Sequence, residues 1–339
     1  MRTKKAYAGA GVDVDLSNRL KRHIQSFVKQ THGPQVLGKI GGFGGLFQAN
    51  FSGMRQPVLV ASIDGVGTKL KIAFAMNKHD TVGADLVNHC VNDIAVLGAR
   101  PLFFLDYIGC EKLQPRVFDE LLRGFSRARR SAGCALIGGE TAQMPGMYRK
   151  GEYDLAGCIV GAVDRAKIID GSKIKPGDIV LGLPSTGLHT NGYSLARKIL
   201  LEKMRLKVSS RLPGSAITVG EELLRVHKNY QPLLGKAPGG MIKGLAHITG
   251  GGLIDNLPRV LPKNCDAVIE TKSWRVPRIF KILQQNGAVD PAEMYQVFNM
   301  GIGMVAVVSE HDAKRAMSIL RAKRIGWIER GTGKTRLLF

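Results

Sequence analysis

Pro57-Val-Leu-Val-Ala-Ser-Ile63 runs directly into Asp64-Gly65-Val66-Gly67-Thr68-Lys69. An uncharged, aliphatic run bounded by a turn signal predicts a buried strand. An acid at the strand's end, followed by a glycine loop, is a recurrent phosphate or metal position. Glycines let the backbone approach a ligand and turn N–H groups toward an anion, and the carboxylate offers a hard oxygen. The same grammar recurs downstream. Ala135-Leu-Ile137 enters Gly138-Gly139-Glu140-Thr141. Ile179 to Leu183 enters Pro184-Ser185-Thr186-Gly187-Leu188-His189-Thr190-Asn191-Gly192, and His247 precedes Thr249-Gly250-Gly251-Gly252. Glycine makes up 42 of 339 residues, above the usual ~7%. Its densest run is Gly41-Gly42-Phe43-Gly44-Gly45, which suits a lid that orders over phosphates.

Helical patterns stand between these loops. Val87, Cys90, Val91, Ile94 and Leu97 form an apolar stripe over 84–98, and 115–132 reads as a basic amphipathic helix. Further strands are expected at 102–108, 155–163, 266–270 and 301–308. The mixture predicts an α/β or α+β class. The length gives about two domains, at ~150 residues per domain. The charged stretch 164–178, with Gly and Pro turn chemistry, is the linker. The boundary falls near 168, giving domains 1–167 and 168–339. Residues 1–50 read as a partly mobile arm with one helix near 15–30.

Composition excludes several classes. Five cysteines, at 90, 110, 134, 158 and 265, form no C-x-x-C pair, which argues against a zinc site and a disulfide framework and for a reducing compartment. No apolar run reaches the ~20 residues of a membrane span, and no signal-peptide pattern opens the chain, so a cytoplasmic protein is expected. The net charge is +22, from 49 Lys+Arg against 27 Asp+Glu. The basic residues are dispersed and only 6% of residues are aromatic, which speaks against a specific nucleic-acid partner. Gly331-Thr-Gly-Lys334-Thr335 resembles the end of a P-loop, but Ile328 stands where the first glycine belongs.

Asp85, His89, Asn92 and Asp93 share one face of the helix over 84–98. Asp, His and Asn are poor helix formers, so the face is either a set of ligands or a solvated stripe. Asp64, Asp93 and Glu140 are candidate ligands for Mg²⁺, with Lys69 as a point charge for a phosphate. The loop 184–192 is either a phosphate or acid–base site around His189 or an ordinary helix start. These residues describe a two-domain enzyme that binds Mg²⁺ and a polyphosphate, with the reaction left open.

Taken in order, the motifs resemble the phosphoribosylformylglycinamidine cyclo-ligase (aminoimidazole ribonucleotide synthetase) family of de novo purine synthesis. The resemblance is carried by Tyr7-Ala-Gly-Ala-Gly-Val-Asp13, Gly41–Gly45, Asp64–Leu70, Cys90-Val-Asn-Asp93, Pro101–Tyr107, Gly138–Ala142, Met144-Pro-Gly-Met-Tyr148, His189–Ser194, Ile248–Gly252 and Glu293-Met-Tyr295 with Phe298-Asn299. It implies an α/β fold of the α+β type with two domains, each a β-sheet layer packed with helices, a homodimer in which N-terminal domains pair their sheets, and an active site between the two domains. It also implies ATP-dependent cyclisation of formylglycinamidine ribonucleotide, with ATP and Mg²⁺ bound without a Walker motif. For the site it implies Mg²⁺ on Asp64, Asp93 and Glu140. ATP falls to Gly42, Gly44, Gly65, Gly67, Thr68, Lys69, Glu140 and Thr141, and Asn92 is a second-line ligand. His189 or His247 is the proton shuttle. Ser185, Thr186, Asn191 and Gly192 hold the ribose phosphate. A small-molecule kinase of the same fold is the rival reading. Ser62-Ile63 stands where the family pattern has a smaller pair.

Overall fold

A computed structural model describes residues 28–37 and 44–339. Most of the helix expected near 15–30, and Gly41-Gly42-Phe43 of the glycine run, lie outside the described residues. The first sheet has four strands: β1 (Pro57–Gly65), β2 (Arg100–Cys110), β3 (Ala135–Gln143) and β4 (Tyr153–Asp164), in the order β1-β4-β2-β3. Only the β2–β3 pair is parallel. Helices α1 (Leu70–Met76), α2 (Asp80–Ala95) and α3 (Pro115–Ala132) complete this half. α3 begins with Pro115 at its first position and stops at Gly133 with φ 68°, as its sequence predicts. α2 and α3 pack closely because glycine stands at the crossing: a Cβ on Gly124 would lie 2.2 Å from the Asp80 carbonyl oxygen.

β1 alternates between the two faces of its sheet. Val58 and Val60 pack against the core, whereas Leu59 and Ile63 are 63% and 73% exposed. The ladder aligns Asp64 with Gly157, Gly157 with Asp106, and Asp106 with Gly139.

The second sheet has six strands, in the order β10-β7-β9-β5-β8-β6. They are β5 (Ile179–Pro184), β6 (Ile242–His247), β7 (Cys265–Glu270), β8 (Ile302–Val308), β9 (Lys323–Arg330) and β10 (Thr335–Leu338). β8 is buried along its whole length. Around the sheet lie α4 (Tyr193–Arg197), α5 (Val219–Leu223), α6 (Gln231–Leu234), α7 (Gly252–Asn256), α8 (Arg278–Gly287), α9 (Pro291–Val297) and α10 (Glu310–Leu320). Residues 165–178 connect the two sheets.

Two local expectations resolve differently. Gly138-Gly139-Glu140-Thr141 is not a loop, because β3 runs straight through it. A Cβ on Gly139 would come 2.4 Å from Asp106 Oδ1, so that glycine serves cross-strand approach rather than a turn. The P-loop-like tail is the turn between β9 and β10. Asp266 Oδ1 accepts the Thr332 and Lys334 N–H groups there, at 2.7 and 2.9 Å.

Candidate functional site

Asp85, Asn88 and Asn92 on the polar face of α2 are buried, and each meets backbone groups of the second half. Asp85 Oδ1 accepts the His227 N–H at 2.7 Å, and Asn88 Nδ2 donates to the His227 carbonyl at 2.7 Å. Asn92 Nδ2 donates to the Lys228 carbonyl at 2.8 Å, and its Oδ1 accepts the Tyr230 N–H at 2.9 Å. Asn92 is therefore a clamp on residues 228–230 with both amide ends engaged, not a ligand facing the cleft.

Lys69 is a second correction. The turn after Gly67 directs its side chain inward, where it is fully buried. Its ammonium lies 2.7 Å from Asp85 Oδ2 and donates to the His189 and Arg225 carbonyls at 3.0 and 2.7 Å. An ammonium has three donors, and all three are used inside the protein, so none remains for an ATP phosphate. Burial pulls the Lys69 pKa down and pushes that of Asp85 up, and each charge opposes the other's shift.

Beside this joint lies a closed ring of side chains. His247 Nδ1 is 2.8 Å from Asp93 Oδ1, and its Nε2 is 2.9 Å from His227 Nε2. His227 Nδ1 lies 3.3 Å from Thr190 Oγ1, which is 2.8 Å from His89 Nδ1. His89 Nε2 returns to the carboxylates, 2.8 Å from Asp64 Oδ2 and 3.9 Å from Asp93 Oδ2. With the Asp93 carboxylate as acceptor the protons fall in one order: His247 donates to Asp93, His227 donates to His247, Thr190 donates to His227, and His89 donates to Thr190. Ser62 Oγ donates to Asp93 Oδ2 at 3.1 Å, so the residue that departs from the family pattern has a place in the site.

Burial pulls the His89 pKa down, but Asp64 and Asp93 outweigh it and raise it. Burial holds His227 and His189 well below the ordinary histidine value, with neighbouring histidines adding to it. His189 stacks on His227 with ring centres 4.0 Å apart. Its Nε2 accepts the Thr186 N–H at 3.2 Å, and its φ is 61°. His189 is thus a buried, neutral packing group, and His247, hydrogen-bonded to Asp93, is the better placed of the two expected shuttles.

These histidines give stability a pH sign. His189 and His227 bind protons in the unfolded chain near the ordinary 6.5 but only at lower pH when folded. Stability is therefore greatest above 6.5 and falls as pH drops below it, by about 1.4 kcal/mol per pH unit for each histidine that stays neutral. Urea unfolding between pH 7 and 5, with a chelator present, should show the midpoint falling. A flat profile would mean that these rings are not held neutral.

Glu140 does not join Asp64 and Asp93 within the chain. β4 and β2 lie between β1 and β3. Glu140 aligns with Tyr107, one residue beyond the row that holds Asp64, Asp106 and Gly139. Alternation along the strand sends its side chain to the opposite face of the sheet. Thr141 sits on the same strand, equally remote from Asp64. Ser185 Oγ donates to the Gly187 carbonyl and lies 3.1 Å from Asn299 Oδ1, and Thr186 Oγ1 donates to the Val226 carbonyl. Those hydroxyls hold their own loop rather than stand free for a ribose phosphate. Asn191 flanks the Gly250 loop, with its Oδ1 3.5 Å from where a Cβ on Gly250 would be. Gly192, at φ 76°, starts α4. Thr68 Oγ1 is exposed, 3.1 Å from Ser194 Oγ, and so bridges the two halves. Gly65 donates its N–H to Asp64 Oδ1 at 2.6 Å, and Gly67 takes φ 69°. Gly42 lies outside the described residues. Gly44 is exposed, near Phe47, whose ring packs 5.3 Å from that of Phe103.

The carboxylates of Asp64 and Asp93 keep 43% and 24% of their side-chain surface in solvent, which fits a hard cation that retains its waters. Sequence reasoning missed His227 and Thr190 as links of the ring. His227 lies in a stretch without periodicity, and nothing local marks it.

Residues 53–163 match the AIR synthase related protein N-terminal domain, and 175–337 match the C-terminal domain. Fold and site thus define a two-domain AIR-synthase-related protein. The chain is 54% identical over 315 residues to a phosphoribosylformylglycinamidine cyclo-ligase of Syntrophotalea carbinolica, covering 93% of this chain and 90% of that one. It is 48% identical over 340 residues to the one of Syntrophus aciditrophicus, covering 98% of each. The chain belongs to the phosphoribosylformylglycinamidine cyclo-ligase family. Solved structures share the fold at low identity. Thiamine-monophosphate kinase from Stenotrophomonas maltophilia K279a aligns at TM-score 0.69 and 16% identity, over 93% of this chain and 94% of that one. Hydrogenase maturation protein HypE in complex with ATP aligns at 0.68 and 19%, over 95% and 90%.

Proposed function

We propose that the chain catalyses the ATP-dependent cyclisation of formylglycinamidine ribonucleotide to aminoimidazole ribonucleotide, ADP and phosphate, in the cytoplasm. One observation carries the reading: about half of all residues, over nearly the whole length, are identical to relatives named for that ligase. The chemical obstacle is a formamide carbon that is a weak electrophile and whose oxygen leaves poorly. Transfer of the γ-phosphoryl of ATP to that oxygen gives an iminophosphate. The amidine nitrogen then attacks the carbon, phosphate departs, and the nitrogen sheds a proton as the ring closes. Asp64 and Asp93 are the residues that hold Mg²⁺, which offsets phosphoryl charge when bound. The Asp93–His247 pair takes up the proton. Residues 1–167 serve ATP and dimerisation, and 168–339 serve the substrate's phosphate end, where Asn191 and Gly192 meet the Gly250–Gly252 loop.

Incubation with formylglycinamidine ribonucleotide, ATP and Mg²⁺ should yield aminoimidazole ribonucleotide and ADP in equal amounts. ADP formed with a phosphorylated small molecule and no imidazole would favour the kinase reading.

The uncovered sheet face supports a homodimer through the N-terminal sheets. Leu59 and Ile63 stand exposed there, on the face of β1 opposite the one that packs against the core, and large apolar side chains in such a row mark an interface. Sedimentation at micromolar concentration should give about twice 36.8 kDa, and Ile63→Glu should shift it toward the monomer. A monomeric wild-type chain would remove this part of the reading.

Among the described residues, no helix is long and apolar enough to cross a membrane.

A further inference from the structure

We propose that His89 Nε2, Asp93 and His247 Nδ1 form a binding site for one divalent transition-metal ion of the zinc class, with water completing its shell. Such an ion would compete with the magnesium-dependent reaction. The binding stands on geometry alone, and the competition rests on the functional reading above.

One ligand atom each from His89, Asp93 and His247 lie together within 4.8 Å of one another. His247 Nδ1 and Asp93 Oδ1 are 2.8 Å apart, and His89 Nε2 and Asp93 Oδ2 are 3.9 Å apart. A tetrahedral ion with bonds of about 2.0–2.1 Å needs ligand separations of roughly 3.4 Å, which these values bracket. Small side-chain movements suffice. His89 Nε2 is also buried without an aligned hydrogen bond, despite the nearness of Asp64.

The outer contacts are those a metal-bound imidazole uses. The remaining nitrogen of His89 meets Thr190 Oγ1, and that of His247 meets His227 Nε2, so both rings are held from behind. On binding, His89 gives up its Nε2 proton to solvent, and His247 moves its single proton to Nε2 while His227 shifts its own from Nε2 to Nδ1, so that His247 donates to His227 Nε2 and His227 donates to Thr190 Oγ1. Two imidazole nitrogens with a carboxylate suit zinc, cobalt or nickel, whereas magnesium prefers an all-oxygen shell. The ion has a way in, since Asp64 and Asp93 face solvent on one side. Once bound, it takes Asp93 from magnesium and His247 from proton transfer.

Cobalt(II) is the probe. The full-length protein, stripped with chelator, is titrated with Co²⁺ in excess Mg²⁺ while visible absorption is followed. One Co²⁺ per chain should bind with the bands of a four-coordinate nitrogen–oxygen site. His89→Gln should weaken binding at least tenfold, whereas His311→Gln, exposed at the start of α10, should leave it unchanged. Asp93→Asn, which preserves shape, gives a second reading of affinity should His89→Gln fail to fold. No stoichiometric uptake, or unaltered affinity in the folded His89 or Asp93 variant, overturns the site. Zn²⁺ should inhibit wild-type turnover at the occupancy that binding predicts. Binding without inhibition overturns the competition and leaves the site.

Discussion

Lys69→Met is expected to cost the fold about 3–5 kcal/mol, the range for breaking a buried ion pair by removing one partner. Methionine keeps the length and apolar body of the side chain, so the loss falls on the ammonium. Asp85 Oδ2 loses the cation at 2.7 Å in a place where neither side chain meets solvent. The His189 and Arg225 carbonyls also lose their donor. Urea unfolding measures the cost as a fall in midpoint at unchanged slope. Lys69→Met combined with Asp85→Leu should recover much of the loss, because replacing both members of a buried pair with apolar groups is often close to neutral. The competing view, a lysine that binds ATP phosphates, predicts the reverse: a variant of wild-type stability with weakened nucleotide affinity. A Lys69→Met protein that unfolds at the wild-type midpoint would sink the bracing role.

How far the chain is legible follows from the range of the forces involved. β1, α3 and β8 are written locally. β1 and β8 are apolar runs with turn signals, and α3 has its proline start and glycine stop, so their ends fall within a few residues of expectation. The polar face of α2 was legible as unusual, since Asp, Asn and His weaken a helix that needs only solubility. The partners of Asp85, Asn88 and Asn92 were not legible, because they include backbone groups of residues 227–230, more than a hundred positions away, which carry no side-chain signature. Lys69 misled for a related reason. Adjacency to a glycine loop in sequence says nothing about which way the next turn points, and here it points into the joint. The Gly138-Gly139 pair misled as a loop signal because glycine has two structural uses. At Gly67 it supplies a positive φ, whereas at Gly139 it makes room for Asp106 across the ladder, and the letters are the same. Asp64 and Asp93 keep part of their carboxylates in solvent because each sits where a local rule, strand end or helix face, already aims it outward.

Asp93→Asn should lower magnesium-dependent turnover by about 10–100-fold, the usual cost of disturbing a metal ligand or the partner that orients one. The substitution preserves shape and removes charge. Asp93 Oδ1 anchors His247 at 2.8 Å and Oδ2 accepts from Ser62 at 3.1 Å, so one carboxylate both faces the cleft and fixes a ring. The two duties separate experimentally. If Asp93 serves chiefly to hold Mg²⁺, raising the Mg²⁺ concentration restores part of the lost rate. If it serves chiefly to orient His247, added Mg²⁺ restores nothing, and the pH–rate profile changes shape, because an asparagine leaves the ring without its anionic partner. Burial pulls the His247 pKa down and Asp93 works against that. Loss of the charge should therefore lower it further, and the limb of the profile that reports the neutral ring moves to lower pH. Wild-type turnover in Asp93→Asn at limiting Mg²⁺, with an unmoved profile, would take the residue out of the site altogether.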